Sequence, residues 1–184
     1  MTMSRNLDPS KPIRPAAFVH FVLRVRNVER SIEWYQTVLD MEIVQRGPKL
    51  AFLTYDDEHH RIALFETPIE AESVPGTAGL DHVAYAFPNL GELLSTYKRL
   101  KSLEIVPYLS INHGPTTSLY YHDPDANGVE LQVDNFDTPE ELKEWMDSDA
   151  FAANPIGVPF DPDKLAERYE AGDPIEELKL QGSA

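Results

Sequence analysis

Apolar residues along this chain fall into short runs of two periods, and the order of the runs repeats. Residues 18–25 form a β-branched and aromatic run that reads as a strand. Behind it, Ile32, Tyr35, Val38 and Leu39 recur at helical spacing, and Asn27 is placed to cap a helix running to about Leu39. Three more strand-like runs follow at 42–46, 50–55 and 61–65, with Gly47-Pro48 and Asp56-Asp57-Glu58 as turns between them. The second half repeats the order: a strand over 82–87, a helix capped by Asn89 with Glu92 three residues on, and an apolar face of Leu93, Leu94, Tyr97 and Leu100. Strands are then predicted over 104–109, 117–121 and 129–133, with Asp123-Pro124-Asp125-Ala126-Asn127-Gly128 as a strong turn.

A single offset relates His20 to His82, Asn27 to Asn89 and Tyr35 to Tyr97. The chain therefore reads as two β-α-β-β-β modules, over 17–66 and 79–134. One such module alone leaves a sheet face bare, so the two are expected to share a core. The predicted fold is α+β: two modules in one domain, forming an incomplete eight-stranded barrel around a cavity, with a C-terminal helical tail. Residues 1–16 read as an N-terminal arm, 67–78 as a linker and 135–184 as the tail. In the tail, Thr138 and Pro139 start a helix whose apolar face is Leu142, Trp145 and Met146. A further helix is predicted over 163–171, and 180–184 reads as a frayed end.

Composition narrows the function. No apolar run approaches the ~20 residues of a membrane helix, and residues 1–15 hold no apolar segment of a secretory signal. There is no cysteine, so disulfides are excluded and a metal must be held by His, carboxylate or carbonyl groups. Together these point to a cytoplasmic protein. The net charge of −15 opposes binding to nucleic acid phosphates and otherwise serves solubility. The expected partner is a small molecule, with neither nucleic acid nor membrane. Paired modules with a long tail also suggest a homo-oligomer.

A histidine inside an apolar strand costs free energy unless its nitrogens are partnered. Any one of them is most simply a hydrogen-bonded core residue. Two at the same register of a repeat, His20 and His82, can instead converge on one point. Glu130 alternates with Val129 and Leu131 and shares a face with Gln132; taken alone it reads as a solvent-facing glutamate, and beside the two histidines it fits as a third ligand. Two imidazoles and one carboxylate are the donor set of non-haem Fe(II) oxygenases, which leaves coordination positions open. His60, His113 and Tyr120 are further candidates for the same cavity, Tyr120 reading equally well as a core aromatic. His59 and His122 read as exposed turn histidines.

These residues resemble the vicinal oxygen chelate superfamily, which groups glyoxalase I, fosfomycin- and bleomycin-resistance proteins and type I extradiol dioxygenases. The stretch from His113-Gly114-Pro115 through Tyr120 and the Asp-Pro-Asp turn to Glu130 is similar to the extradiol signature, and His59-His60-Arg61 resembles its paired-histidine strand. The tail is similar to that of small one-domain extradiol enzymes. The resemblance implies Fe(II), or else Mn(II), held by His20, His82 and Glu130. It implies His60 as the base for a catechol hydroxyl, and His113 and Tyr120 as residues that bind and orient an aromatic diol and O2. Ala126 departs from the pattern, standing where such turns often have glycine. Two other readings are a glyoxalase-like isomerase or lyase and a metal-free protein that sequesters an aromatic antibiotic. The isomerase would use a fourth protein ligand, and the first module offers only Ala63 at the place that matches Glu130.

Overall fold

A computed structural model describes residues 12, 14–68 and 78–184. Most of the expected arm and linker lie outside the described residues. The first module consists of β1 (Phe21–Val25), α1 (Val28–Leu39), β2 (Glu42–Gly47), β3 (Leu50–Thr54) and β4 (Ile62–Glu66). The second consists of β5 (His82–Ala86), α2 (Leu90–Ser102), β6 (Leu109–Asn112), β7 (Thr116–His122) and β8 (Gly128–Asp134). The tail adds α3 (Pro139–Met146), α4 (Asp149–Ala153), β9 (Val158–Pro159), α5 (Pro162–Glu170) and α6 (Ile175–Leu178).

The helices start where the sequence places their caps. The Asn27 side chain accepts from the Arg30 amide and the Asn89 side chain from the Glu92 amide, satisfying helix N–H groups that have no partner inside the helix. Thr138 and Glu141 close a full capping box at α3. The strands form a four-stranded sheet in the order β1-β4-β3-β2 and a five-stranded sheet in the order β5-β8-β7-β6-β9. In each sheet the first strand of the module runs parallel to the last, Val22 facing Ala63 and Ala84 facing Glu130. These are equivalent slots of the repeat, so alanine stands in one module where the carboxylate stands in the other.

Alternation then sorts the faces. Leu23 and Val25, with Leu53, Ile62 and Leu64, pack against Ile32, Tyr35 and Val38 of α1. Leu119, Leu131 and Val133 pack with Leu93, Leu94, Tyr97 and Leu100 of α2 in the same continuous core. The opposite sheet faces carry Val22 in one module and Glu130 in the other.

A polar seam ties the modules together. Asp123, 5% exposed, accepts four hydrogen bonds in the β7–β8 turn: from the amides of Asp125 and Asn127, the Asn127 side chain, and the hydroxyl of Tyr35 on α1. Asp125 in turn receives the Arg26 guanidinium at 2.6 Å and the Arg26 amide at 3.1 Å. Ala126 sits in this turn at φ 65°, the left-handed conformation that glycine adopts without cost.

Two expectations need correction and one is extended. The strand placed at 104–109 begins only at Leu109, because Glu104 at φ 63° closes the end of α2 through Glu104 N to Lys101 O and Ile105 N to Leu100 O. Pro107 has no N–H to donate to a ladder in that stretch. The tail is not only helical: β9 pairs with β6 and makes a ninth strand. The C-terminus is not frayed, since Arg168 donates to the Ser183 carbonyl and Ala184 packs against the core.

Candidate functional site

Glu130 is a buried carboxylate, 5% exposed, and such a group is stable only with partners. It has two. The Tyr120 hydroxyl donates to Oε1 at 3.0 Å, and His82 Nε2 lies 2.9 Å from Oε2. Both contacts follow from register, because Tyr120 faces Glu130 across β7–β8 and Ala84, two residues beyond His82, faces it across β5–β8. Gly128 allows the approach: a Cβ there would stand 2.4 Å from the Asp81 carbonyl and 2.9 Å from the His82 Cβ. The other nitrogen of His82, Nδ1, lies 2.7 Å from Asp81 Oδ2, which fixes the ring between two carboxylates.

The chain of contacts continues away from Glu130. His113 Nε2 meets the Tyr120 hydroxyl at 2.8 Å. His113 Nδ1 faces the carbonyl of Ile156, which can only accept, so Nδ1 carries a proton. Gly114, at φ 96°, lets the loop turn beneath Trp145 of α3, whose ring would collide with any side chain there. The tail thus holds the His113 loop from both sides. Burial, and then the negative charge of Glu130, push the Tyr120 hydroxyl well above the usual phenol range, so Tyr120 stays a neutral donor. Beside it stands the half-exposed ring of Tyr108, 6.2 Å from Tyr120 between centroids and stacked on His122 at 4.1 Å.

His20 and His60 meet on the first sheet, with ring centroids 4.2 Å apart. Arg61 organises this end. Its guanidinium donates to the carbonyls of Phe18 and Val19 and to Asp56, while its amide bonds Leu53 O at 2.8 Å. The segment entering β1 and the loop entering β4 are thereby stapled together, placing His20 beside His60 and His60 over Phe52. Burial, and then the neighbouring His20 and His59 rings, lower the pKa of His60 from its ordinary value.

The sequence candidates therefore fall into two groups. His82, Glu130, Tyr120 and His113 form one continuous contact chain, and His20 stands with His60. Among the described residues, His20, His82 and Glu130 do not bring three ligand atoms within 4.8 Å of one another, whereas His20, His59 and His60 do. His59, expected as an exposed turn histidine, is exposed and also belongs to this cluster, its Nδ1 lying 2.6 Å from His60 Nδ1. The doubled His59-His60 was the signal available for it. Asp81 was also missed, although it directly precedes His82.

The donor set suits a divalent transition metal: His82 Nε2 and Glu130 Oε2 face each other at 2.9 Å, and Asp81 engages the other His82 nitrogen, so Nε2 is the one presented to an ion. Among the described residues no helix is long and apolar enough to cross a membrane.

Over 162 residues the chain is 48% identical to biphenyl-2,3-diol 1,2-dioxygenase 2 of Rhodococcus globerulus, covering 88% of this chain and 85% of that protein. Biphenyl-2,3-diol 1,2-dioxygenase 3 of the same organism is 47% identical over 167 residues, covering 90% and 88%. The fold matches a crystal structure of a lactoylglutathione lyase from Agrobacterium tumefaciens with a TM-score of 0.53, at 22% identity and covering 65% of this chain and 94% of that one. Residues 17–133 match the pattern of one family, and on that match and the two relatives the chain belongs to the glyoxalase/bleomycin resistance protein/dioxygenase superfamily.

Proposed function

We propose that this protein is an extradiol ring-cleavage dioxygenase, inserting both atoms of O2 into a catechol-type aromatic diol at a non-haem Fe(II) held by His20, His82 and Glu130. Mn(II) is the alternative ion for the same donors. The observation that carries the reading is the buried Glu130 carboxylate, clamped by His82 and Tyr120, in a chain nearly half identical to two biphenyl-2,3-diol dioxygenases. Held by those residues, such an ion would supply Lewis acidity toward a diol hydroxyl and redox access to O2.

The remaining work belongs to side chains. Asp81 holds His82 in one ring orientation, and Tyr120 holds Glu130 through Oε1. His60, made less basic by burial and by its imidazole neighbours, is neutral at pH 7 and accepts the second hydroxyl proton of the diol. His113, anchored by Ile156, and Tyr120 orient the substrates. The Tyr108 ring offers a wall for an aromatic substrate. His20 rests against His60, and joining the His82–Glu130 pair is the one rearrangement the reading requires. Ala63 in the slot equivalent to Glu130 leaves the donor set at three, which separates this reading from a four-ligand isomerase.

The test is anaerobic purification and metal analysis, expected to give about one iron or manganese per chain, followed by addition of biphenyl-2,3-diol. A yellow ring-opened product with oxygen uptake supports the reading. An iron-loaded protein that consumes no oxygen with either this diol or catechol overturns it.

A further inference from the structure

We infer that His20, His59 and His60 form a second cation site, selective for an imidazole-seeking divalent ion such as Zn2+ or Ni2+, whose filling blocks assembly of the catalytic site. The blocking rests on the proposed role of His20. The binding does not.

Three ring nitrogens, one from each residue, lie within 4.8 Å of one another. A tetrahedral zinc site with Zn–N distances of ~2.0–2.1 Å needs its nitrogens only ~3.3 Å apart. His59 Nδ1 and His60 Nδ1 already stand at 2.6 Å, so that pair opens slightly while His20 closes in. The frame is built beforehand. Arg61 ties Phe18 O and Val19 O, just before His20, to Asp56 in the loop that carries His59 and His60. Assembly therefore asks for ring rotations rather than backbone ordering.

The donor type sets the selectivity. Three imidazoles with no carboxylate favour zinc, nickel or copper over the harder manganese, and Fe(II) stands below these ions in the affinity order. His59, with its side chain 62% exposed, opens the site to solvent, and Glu58 Oε1, 3.4 Å from His59 Nε2, stands against the ring nitrogen that does not face His60 and so orients the ring rather than joining the donor set. An ion here engages the His20 nitrogen that the iron site needs and the His60 ring that would serve as base. The protein thus contains a competitive trap for the wrong metal, and only His59 is exclusive to the trap.

The experiment titrates the metal-stripped full-length protein with Zn2+ by calorimetry, and with Co2+ by its visible absorption. Wild type and His59→Asn are compared, each also in a His82→Asn background that disables the other donor set. Zinc affinity is expected to fall about tenfold or more in His59→Asn in both backgrounds. Wild type should show the intense visible bands of tetrahedral Co2+, and His59→Asn should lose them. With each protein measured against its own zinc-free turnover of diol, iron-loaded His59→Asn should need about tenfold more zinc for half-inhibition than wild type. Unchanged zinc affinity in His59→Asn overturns the cation site, even where diol turnover is normal. A His59-dependent cobalt spectrum in a protein that cleaves no diol leaves the cation site standing and removes the dioxygenase reading instead.

Discussion

Replacing Tyr35 by phenylalanine removes one oxygen from the seam between the modules and changes little else. Tyr35 is 1% exposed, and its hydroxyl lies 3.0 Å from Asp123 Oδ2. A hydrogen bond to a charged group contributes about 1.5–3 kcal/mol. Asp123 keeps three other donors, so its charge is not stranded. The phenylalanine ring fills the same space and opens no cavity. The expected loss is therefore at the low end, about 1.5–2 kcal/mol. For a chain of this length that lowers Tm by roughly 3–8 °C. The assay is urea denaturation with calorimetry, with the m value unchanged. Alkaline pH adds a sign. Burial, and then the Asp123 charge, raise the Tyr35 pKa well above its ordinary value. The protonated form is thus favoured by folding: its contribution is complete below the unfolded pKa of about 10 and is lost as pH rises beyond it. Wild type should lose stability above pH ~10 more steeply than Tyr35→Phe. A Tyr35→Phe protein within about 0.5 kcal/mol of wild type would refute the seam as a source of stability.

Other outcomes follow from the same geometry. Ala126→Gly should raise stability by about 0.5–1 kcal/mol, because φ 65° strains alanine and suits glycine; a lower Tm would show the turn differently built. Tyr120→Phe should keep metal content and lower turnover about 10²-fold or more, since it releases both Glu130 and His113; full activity would remove Tyr120 from the site. His60→Ala should also keep the metal and lose about 10²–10⁴ in kcat/KM. In wild type the acid limb of kcat/KM should lie below the ordinary histidine value, since the His60 pKa is lowered, and a limb displaced upward would contradict that role.

The β-α-β-β-β repeat was legible because both periods are strong and both helix caps are asparagines with free side-chain acceptors. Glu130 was legible by alternation alone, and the alanine in the matching slot was visible as Ala63. The β6 boundary was not, because Val106 and Tyr108 look like strand residues while Pro107 and the left-handed Glu104 decide otherwise. The β9 strand holds only Val158 and Pro159, too short to leave a period, and exists because an open edge of β6 accepts it. The grip of Ile156 on His113 joins residues far apart in sequence through a backbone carbonyl, which no side-chain pattern encodes. The position of His20 depends on Arg61 reaching across to the Phe18 and Val19 carbonyls, another contact without a sequence signature.

The decisive measurement is oxygen consumption by the iron-loaded protein. With biphenyl-2,3-diol in excess, the account predicts uptake of about one O2 per diol consumed, a yellow ring-opened product, and loss of both in Glu130→Gln. Stoichiometric iron with no uptake, or uptake that survives Glu130→Gln undiminished, would contradict it.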